Sequence, residues 1–122
     1  MQLFPDSHTF TKYNFKFTKD EANNMSKSLR TPAADDLCDA ILSLQNRDEC
    51  YRFFEDVCTV NELTSLSQRF AVARMLTQKK TYLEIAQETG ASTATISRVN
   101  RALTYGSDGY SMVLERIGKK AE

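Results

Sequence analysis

Apolar residues recur at helical spacing along most of the chain after residue 30. Leu37, Ile41 and Leu44 fall at positions i, i+4 and i+7, which predicts one apolar stripe on a first helix. Thr31-Pro32 predicts where that helix begins, because a hydroxyl can accept a free backbone N–H and proline is tolerated in the first turn. The same spacing predicts a second helix, with the stripe Cys50, Phe53, Phe54 and Val57.

A third helix is predicted to begin at the capping-box pattern 59–62, in which Thr59 and Glu62 each bond the other's backbone N–H. It is expected to run to about Gln78, with the inward residues Leu63, Leu66, Phe70 and Ala73. Two short helices are predicted at about 81–89 and 93–103, and a glycine-containing turn leads to a last helix. The stripe of the last helix is Tyr110, Val113, Leu114 and Ile117. The predicted fold class is all-α, with about six helices.

The two short helices, TYLEIAQETGASTATISRVNRAL, have the pattern of a helix-turn-helix. Their inner faces are predicted to carry Leu83, Ile85, Ala86, Ile96 and Val99. Gly90 follows the first helix, where glycine enters the left-handed region without steric cost. Ser92 is a favourable N-cap for the second helix. The sequence therefore predicts a sharp bend between two crossing helices.

The exposed face of the second short helix is predicted to carry Thr93, Ala94, Ser97 and Arg101. DNA-reading helices place their N-terminal residues against base edges in the major groove. Hydroxyls can donate or accept hydrogen bonds there, an alanine methyl can contact thymine, and arginine can bond a base or a phosphate. Lys79 and Lys80 precede the motif and are expected to add to the attraction of phosphates. The pattern predicts a double-stranded DNA operator as the partner.

Charge is distributed unevenly, although the formal net charge of the chain is zero. Residues 31–65 carry eight acids against two arginines, which gives a local net charge of −6. Residues 66–103 carry six basic residues against two acids, which gives +4. A separated positive surface favours a polyanionic partner such as DNA, because the attraction of phosphates depends on the local field.

The first 24 residues differ in pattern from the rest. Tyr13, Phe15 and Phe17 alternate with polar residues, which is typical of a short strand. Three interpretations stay open: an arm that packs on a partner subunit, a flexible extension, or a core that starts at Met25. We therefore divide the chain into an extended or flexible segment, residues 1–24, and a helical DNA-binding domain, residues 25–122.

The residue content disfavours several classes of function. His8 is the one histidine of the chain, and the core lacks a glycine-rich phosphate-binding motif, so we expect neither an enzyme nor a metal site. No apolar run approaches the roughly 20 residues of a membrane span. Three cysteines without paired spacing indicate reduced thiols. We expect a cytoplasmic, nucleoid-associated protein that requires no cofactor.

Residues 59–103, TVNELTSLSQRFAVARMLTQKKTYLEIAQETGASTATISRVNRAL, resemble the Trp repressor superfamily and, within it, the YerC/YecD-type branch. The resemblance rests on the segment around Arg69, the LEIAQETGAS turn and the ATISR helix start, and it extends over about residues 25–117. It implies an intertwined all-helical homodimer whose two recognition helices enter successive major grooves of a palindromic operator. It also implies a phosphate contact at Tyr82 and base contacts at Thr93, Ala94 and Ser97.

The resemblance further implies a small-molecule pocket. In the Trp repressor, two arginines sandwich the indole of tryptophan and hydroxyls lie near its carboxylate; the matching positions are Arg69, Arg98, Thr59 and Thr95. Val99 stands where the repressor has a glycine beside the indole, and Ala102 stands where it has a serine near the carboxylate. Val99 adds bulk and Ala102 removes a hydrogen-bond partner, so we do not expect tryptophan to be the corepressor.

Arg69 and Arg98 then have two roles open, either to bind another small anion as corepressor or to pair with acids inside the dimer. The predicted function is a sequence-specific transcriptional regulator, a repressor, that binds DNA through the helix-turn-helix. The alternative is a dimeric helical module that uses the same motif to bind a protein and has no specific affinity for DNA.

Overall fold

The computed structural model describes residues 29–121, with side chains described to residue 119. Every regular element in this range is an α-helix: α1 Pro32–Leu42, α2 Arg47–Val57, α3 Val60–Thr77, α4 Tyr82–Thr89, α5 Thr93–Tyr105 and α6 Gly109–Ala121. The predicted all-α class with six helices is confirmed. The predictions for residues 1–24, including the strand pattern, and the domain start at residue 25 lie outside the described residues.

Hydroxyl side chains fix the beginnings of four helices. Thr31 caps α1 by accepting the backbone N–H of Ala34 at 3.0 Å, as its position before Pro32 predicts. Thr59 and Glu62 form the predicted capping box of α3. Thr81 and Glu84 form a second capping box at α4, and Ser92 caps α5. Each cap satisfies backbone donors that the first turn of a helix leaves without a partner.

The chain divides into two compact units, one ending at Tyr51 and one beginning at Arg52, so that α2 contributes to both. In the first unit, α1 buries none of its residues, and Leu37 and Ile41 are 44% and 42% exposed. Leu44 was expected to continue their stripe, but α1 ends at Leu42. The N–H groups of Ser43 and Leu44 bond the carbonyls of Ala40 and Ile41, three residues back, so the last turn of the helix is tightened at this point.

The second unit has a small apolar core where α3, α4 and α5 meet. Its six buried residues are Val72, Ala73, Ile85, Ala91, Ile96 and Val99. α6 packs against α3, and Tyr110 and Leu114 contact the edge of this core. The predicted inward positions of Ala73, Ile85, Ile96 and Val99 are therefore confirmed.

Helix α3 is apolar on two sides. Val72 and Leu76 face the core, whereas the predicted inward residues Leu63, Leu66 and Phe70 lie roughly 130° further round the helix at about 100° per residue. Leu66 is 46% exposed in the single chain and Leu63 and Phe70 are only partly buried, whereas Ala73 of the same predicted stripe is fully buried. One apolar side of α3 is thus left open in the single chain.

Other predicted core positions are also exposed. Leu83 is 69% exposed because two residues of α-helix turn by about 200°, so that Leu83 cannot share a face with the buried Ile85. Val57, Val113 and Ile117 are exposed as well, although their stripes predicted burial. The apolar surface of this chain exceeds what its own core can cover.

Gly90 supplies a test of the bend, because its φ of 72° lies in the left-handed region and a Cβ there would contact nothing within 4 Å. Gly90→Ala should therefore cost about 1 kcal/mol of unfolding free energy, from backbone strain alone. Gly90→Asn should cost less, because asparagine tolerates this conformation. The measurement is urea unfolding followed by circular dichroism.

Gly118→Ala is the matched control. Gly118 lies inside α6, also has open space at a Cβ and has no positive φ. Alanine should stabilise this helix by up to about 1 kcal/mol, the opposite sign to Gly90→Ala. Equal effects at the two glycines would contradict the role assigned to the bend.

Candidate nucleic-acid interface

The turn between α4 and α5 is held by hydrogen bonds at each of its residues. The N–H of Gly90 donates to the carbonyl of Ala86 at 2.9 Å, and the N–H of Ala91 donates to the hydroxyl of Thr89 at 3.1 Å. Ser92 accepts the N–H of Thr95 at 3.1 Å, which begins α5. Ala91 is buried, so the turn packs on the core as well as bonding to itself. The bend predicted at Gly90 is confirmed.

The outer surface of α5 carries the four residues predicted to contact DNA: Thr93, Ala94, Ser97 and Arg101 are all exposed. On the opposite side, Ile96 and Val99 are 0% and 1% exposed. Two buried anchors thus hold the helix from behind and leave its first two turns open to solvent. This is the arrangement that a major-groove reading helix requires.

Arg98 is also exposed. At about 100° per residue it lies roughly 60° from Arg101 and roughly 40° from Ala94 around the helix. By position, Arg98 therefore belongs to the same outer surface as the predicted base-contacting residues, and it adds a cation there.

The two lysines before the motif differ in their surroundings. Lys79 is exposed and takes a left-handed φ of 63° just after α3. Lys80 is partly buried, and its Nζ bonds both carboxylate oxygens of Glu88, at 3.1 and 3.2 Å. Tyr82 lies in the first turn of α4 and is 37% exposed. Lys79 and Tyr82 are thus open to a ligand, whereas Glu88 offsets the charge of Lys80.

Three of the residues predicted for a small-molecule pocket, Arg69, Ala102 and Val99, lie in three different places. Arg69 is partly buried and lines a groove of about 360 Å³ with Cys58, Asn61, Glu62, Ser65 and Leu66. Ala102 lines a different, apolar groove of about 490 Å³ with Phe70, Ser107, Gly109, Tyr110, Met112 and Val113. Val99 lines neither groove, because its side chain is enclosed in the core.

The two predicted pocket hydroxyls take part in helix caps. Thr59 accepts the N–H of Glu62 at 3.1 Å, and the carboxylate of Glu62 accepts the N–H of Thr59 at 2.8 Å. The hydroxyl of Thr95 accepts a hydrogen bond from the Ser92 hydroxyl at 3.0 Å. The backbone and side-chain hydrogen bonds with Thr59 hold the pKa of Glu62 below its ordinary value of 4.5. Both threonine hydroxyls thus take part in hydrogen bonds that stabilise helix N-termini.

Two residues of this region were not predicted. Gln68 donates from its amide to the backbone carbonyl of Thr89 at 3.1 Å, which links α3 to the end of α4. Glu88 is one of the two acids counted in the net charge of residues 66–103, and in the structure it forms an ion pair with Lys80. The signal for Gln68 was its position four residues before Val72, on the side of α3 that is buried. Its partner depends on the packing of α4, which the sequence pattern does not give.

These features define a helix-turn-helix protein. The family model of the Trp repressor protein matches residues 33–118, and the chain belongs to this family. The match agrees with the resemblance found from the sequence and covers all six described helices almost to the end of α6.

Relatives and solved structures agree with this assignment. The Bacillus subtilis (strain 168) protein YerC, itself uncharacterized, is 58% identical over 89 residues, which is 73% of this chain and 86% of that protein. The crystal structure of a candidate Trp repressor from Staphylococcus aureus is similar with a TM-score of 0.72 and 60% identity, over 77% of this chain and 93% of the other. A TrpR-like protein from Eubacterium eligens ATCC 27750 gives a TM-score of 0.72 and 66% identity, over 74% and 93%.

None of the described helices is both long enough and apolar enough to cross a membrane.

The capping box of α3 predicts a pH dependence of stability. Because the pKa of Glu62 is lowered on folding, its contribution is complete above about pH 5 and is lost as the pH falls below 4.5 and through the folded value. Glu62→Gln keeps an acceptor for the N–H of Thr59 but cannot titrate. The unfolding free energy of this variant should therefore fall less than that of the wild type between pH 6 and pH 3. Urea unfolding at a series of pH values measures this.

Substitution of the cap itself gives the matched comparison. Thr59→Ala should cost about 1 kcal/mol at pH 7, and Thr59→Ser should stay close to the wild type, because serine also caps. An acid profile of Glu62→Gln that overlays the wild type would show that the box does not couple to pH.

Proposed function

We propose that the protein is a sequence-specific, DNA-binding regulator of transcription, a repressor, that reads the major groove with α5 as a homodimer. The observation that carries this proposal is the outer surface of α5, where Thr93, Ala94, Ser97 and Arg101 are exposed on a helix anchored from behind. Membership of the Trp repressor family supports the same class of function. We infer a corresponding location in the cytoplasm, in association with the nucleoid.

The side chains on this surface suit contacts with bases. Thr93 and Ala94 form the first turn of α5, where a reading helix meets base edges. Hydroxyls of Thr93 and Ser97 can donate or accept, and the methyl of Ala94 can contact thymine. Arg101 lies about two turns along α5 and has the reach and the paired donors for guanine or for a phosphate.

The charges around this surface suit the sugar-phosphate backbone. Residues 66–103 have a net charge of +4, and Arg98 lies beside Arg101 on the outer side of α5. Lys79 is exposed, whereas Glu88 holds Lys80 in an ion pair. We therefore rank Lys79 above Lys80 as a phosphate contact, because a paired lysine must first give up its carboxylate.

The homodimer is supported by the apolar surface that a single chain leaves open. Leu66 on α3 and Val113 and Ile117 on α6 are exposed, and the apolar groove beside Phe70 and Tyr110 lies in the same second unit. Surfaces of this kind are typically covered by another protein chain. A two-fold dimer would present two copies of α5 to a palindromic site.

The experiment that tests the function is selection of bound duplexes from random and genomic DNA with the full chain, followed by titration of the selected site. We expect enrichment of a palindromic sequence whose half-sites lie about one helical turn, 10–10.5 base pairs, apart. Absence of any enriched sequence, together with equal affinity for all duplexes, would overturn the proposal and favour the protein-binding module.

Three substitutions test the predicted contacts by fluorescence anisotropy at several salt concentrations. Arg101→Ala should cost about 1–3 kcal/mol on the selected site if it reads a base. Lys79→Gln should weaken binding to all duplexes and make the fall of log affinity with log salt less steep, by about 0.9 per lost contact. Lys80→Gln should have the smaller effect. Lys119→Ala is the control, since Lys119 is an exposed cation of α6, ion-paired with Glu115. A control that weakens binding as much as Arg101→Ala would contradict the assigned surface.

We propose that tryptophan is not the corepressor. Val99 is buried in the core and cannot withdraw without leaving a cavity, and Arg69 and Ala102 line different grooves. Arg69 then serves the fold or binds another small anion, whereas Arg98 is exposed on the outer surface of α5 and does not line the groove of Arg69. Calorimetry with tryptophan should show no saturable heat, and tryptophan should leave DNA affinity unchanged. A stoichiometric isotherm in the micromolar range would prove the inference wrong.

A further inference from the structure

One hydrogen bond joins α3 to the helix-turn-helix. The side-chain amide of Gln68 donates to the backbone carbonyl of Thr89 at 3.1 Å, across 21 residues of sequence, and both residues are partly buried. Thr89 is the last residue of α4, where a helix leaves its final carbonyls without partners in the helix. Gln68 therefore supplies the partner of a carbonyl at the start of the turn.

Thr89 also forms hydrogen bonds within the turn. Its hydroxyl donates to the carbonyl of Ile85 at 2.7 Å and accepts the N–H of Ala91 at 3.1 Å. Ala91 directly precedes Ser92, the residue that caps α5. A continuous series of hydrogen bonds thus leads from α3, through Thr89, to the residue before α5 begins.

This series is directional and reaches α5 from α3, whereas the contacts that α5 makes with the core are apolar. Ile96 and Val99 anchor α5 by apolar packing, which resists separation more than it fixes a rotation. Gly90, the first residue of the turn, is the turn residue with the greatest backbone freedom. A hydrogen bond with defined geometry is the kind of contact that fixes the direction in which α5 leaves the turn.

Gln68 also lies between Leu66 and Phe70, on the helix whose other side is apolar and open. The helix that bonds the turn is thus the helix that offers a surface to a second copy of the chain. In a dimer built on this helix, the angle between α3 and the turn sets the distance between the two copies of α5.

We propose that Gln68 is a positioning residue that fixes the recognition helix relative to α3 and so determines the half-site spacing that the dimer accepts. This inference rests on the proposed DNA-binding function. Gln68 does not contact DNA in this role. It acts through the Thr89 carbonyl, and its loss affects the choice among sites more than the affinity for DNA in general.

Gln68→Met tests the proposal, because methionine is unbranched, is of similar length and cannot donate a hydrogen bond. Affinity is measured for the selected site, for the same half-sites moved apart or together by one base pair, and for a random duplex. We expect an affinity for the selected site about 2- to 10-fold lower, which corresponds to one neutral hydrogen bond. The preference over the shifted sites should fall toward one, with the salt slope and the random-duplex affinity unchanged.

Gln45→Met is the matched control, because it makes the same change at an exposed glutamine between α1 and α2. It should keep the wild-type spacing preference. An unchanged spacing preference in folded Gln68→Met, or an equal loss on all duplexes, would overturn the inference. A wild-type protein that selects no site at all would instead overturn the proposed function.

A second variant covers the case in which Gln68→Met does not fold. Thr89→Val keeps the backbone carbonyl but removes the hydroxyl that bonds Ile85 and Ala91. It should also reduce the spacing preference, by interrupting the series one step later. If Gln68→Met does not fold, a wild-type preference in Thr89→Val would overturn the proposal.

Discussion

The second unit depends on the burial of a few aliphatic side chains at the crossing of three helices. Ile85, Ile96 and Val99 meet Val72 and Ala73 of α3, and all five are withdrawn from solvent. Burial of an aliphatic side chain of this size stabilises a fold by about 1.5–3 kcal/mol, so this small set supplies much of what holds the motif together. Whatever the outer surface of α5 does, it does on a helix fixed from behind by this contact.

Hydrogen bonds then fix the orientations of the helices that apolar packing leaves free. Threonine and serine caps begin the helices, a left-handed glycine makes the bend, and Gln68 reaches from α3 to the end of α4. The apolar core and the polar contacts thus have different tasks, one to hold the helices together and one to set their angles. In the proposed regulator, affinity would depend mainly on charge, and discrimination among sites would depend on these angles.

The sequence predicted the local features well, because caps and glycine bends depend on a few neighbouring residues. The capping box at Thr59 and the bend at Gly90 are of this kind. Leu66 is not buried in the single chain, since an apolar stripe on a helix does not say whether its own chain or a second copy covers it. The partners of Lys80 and Gln68 could not be predicted either, because each depends on how α4 packs. Whether the candidate site residues bind DNA or a ligand stays a prediction.

The open apolar side of α3 has a consequence for how such a protein would behave in a cell. If a second copy covers that side, the amount of the protein present enters its own stability, because association favours the folded pair by mass action. A newly made chain at low abundance would then be the more vulnerable to unfolding and proteolysis, and its lifetime would lengthen as copies accumulate. Supply of the regulator and its persistence would be linked through one exposed helix face.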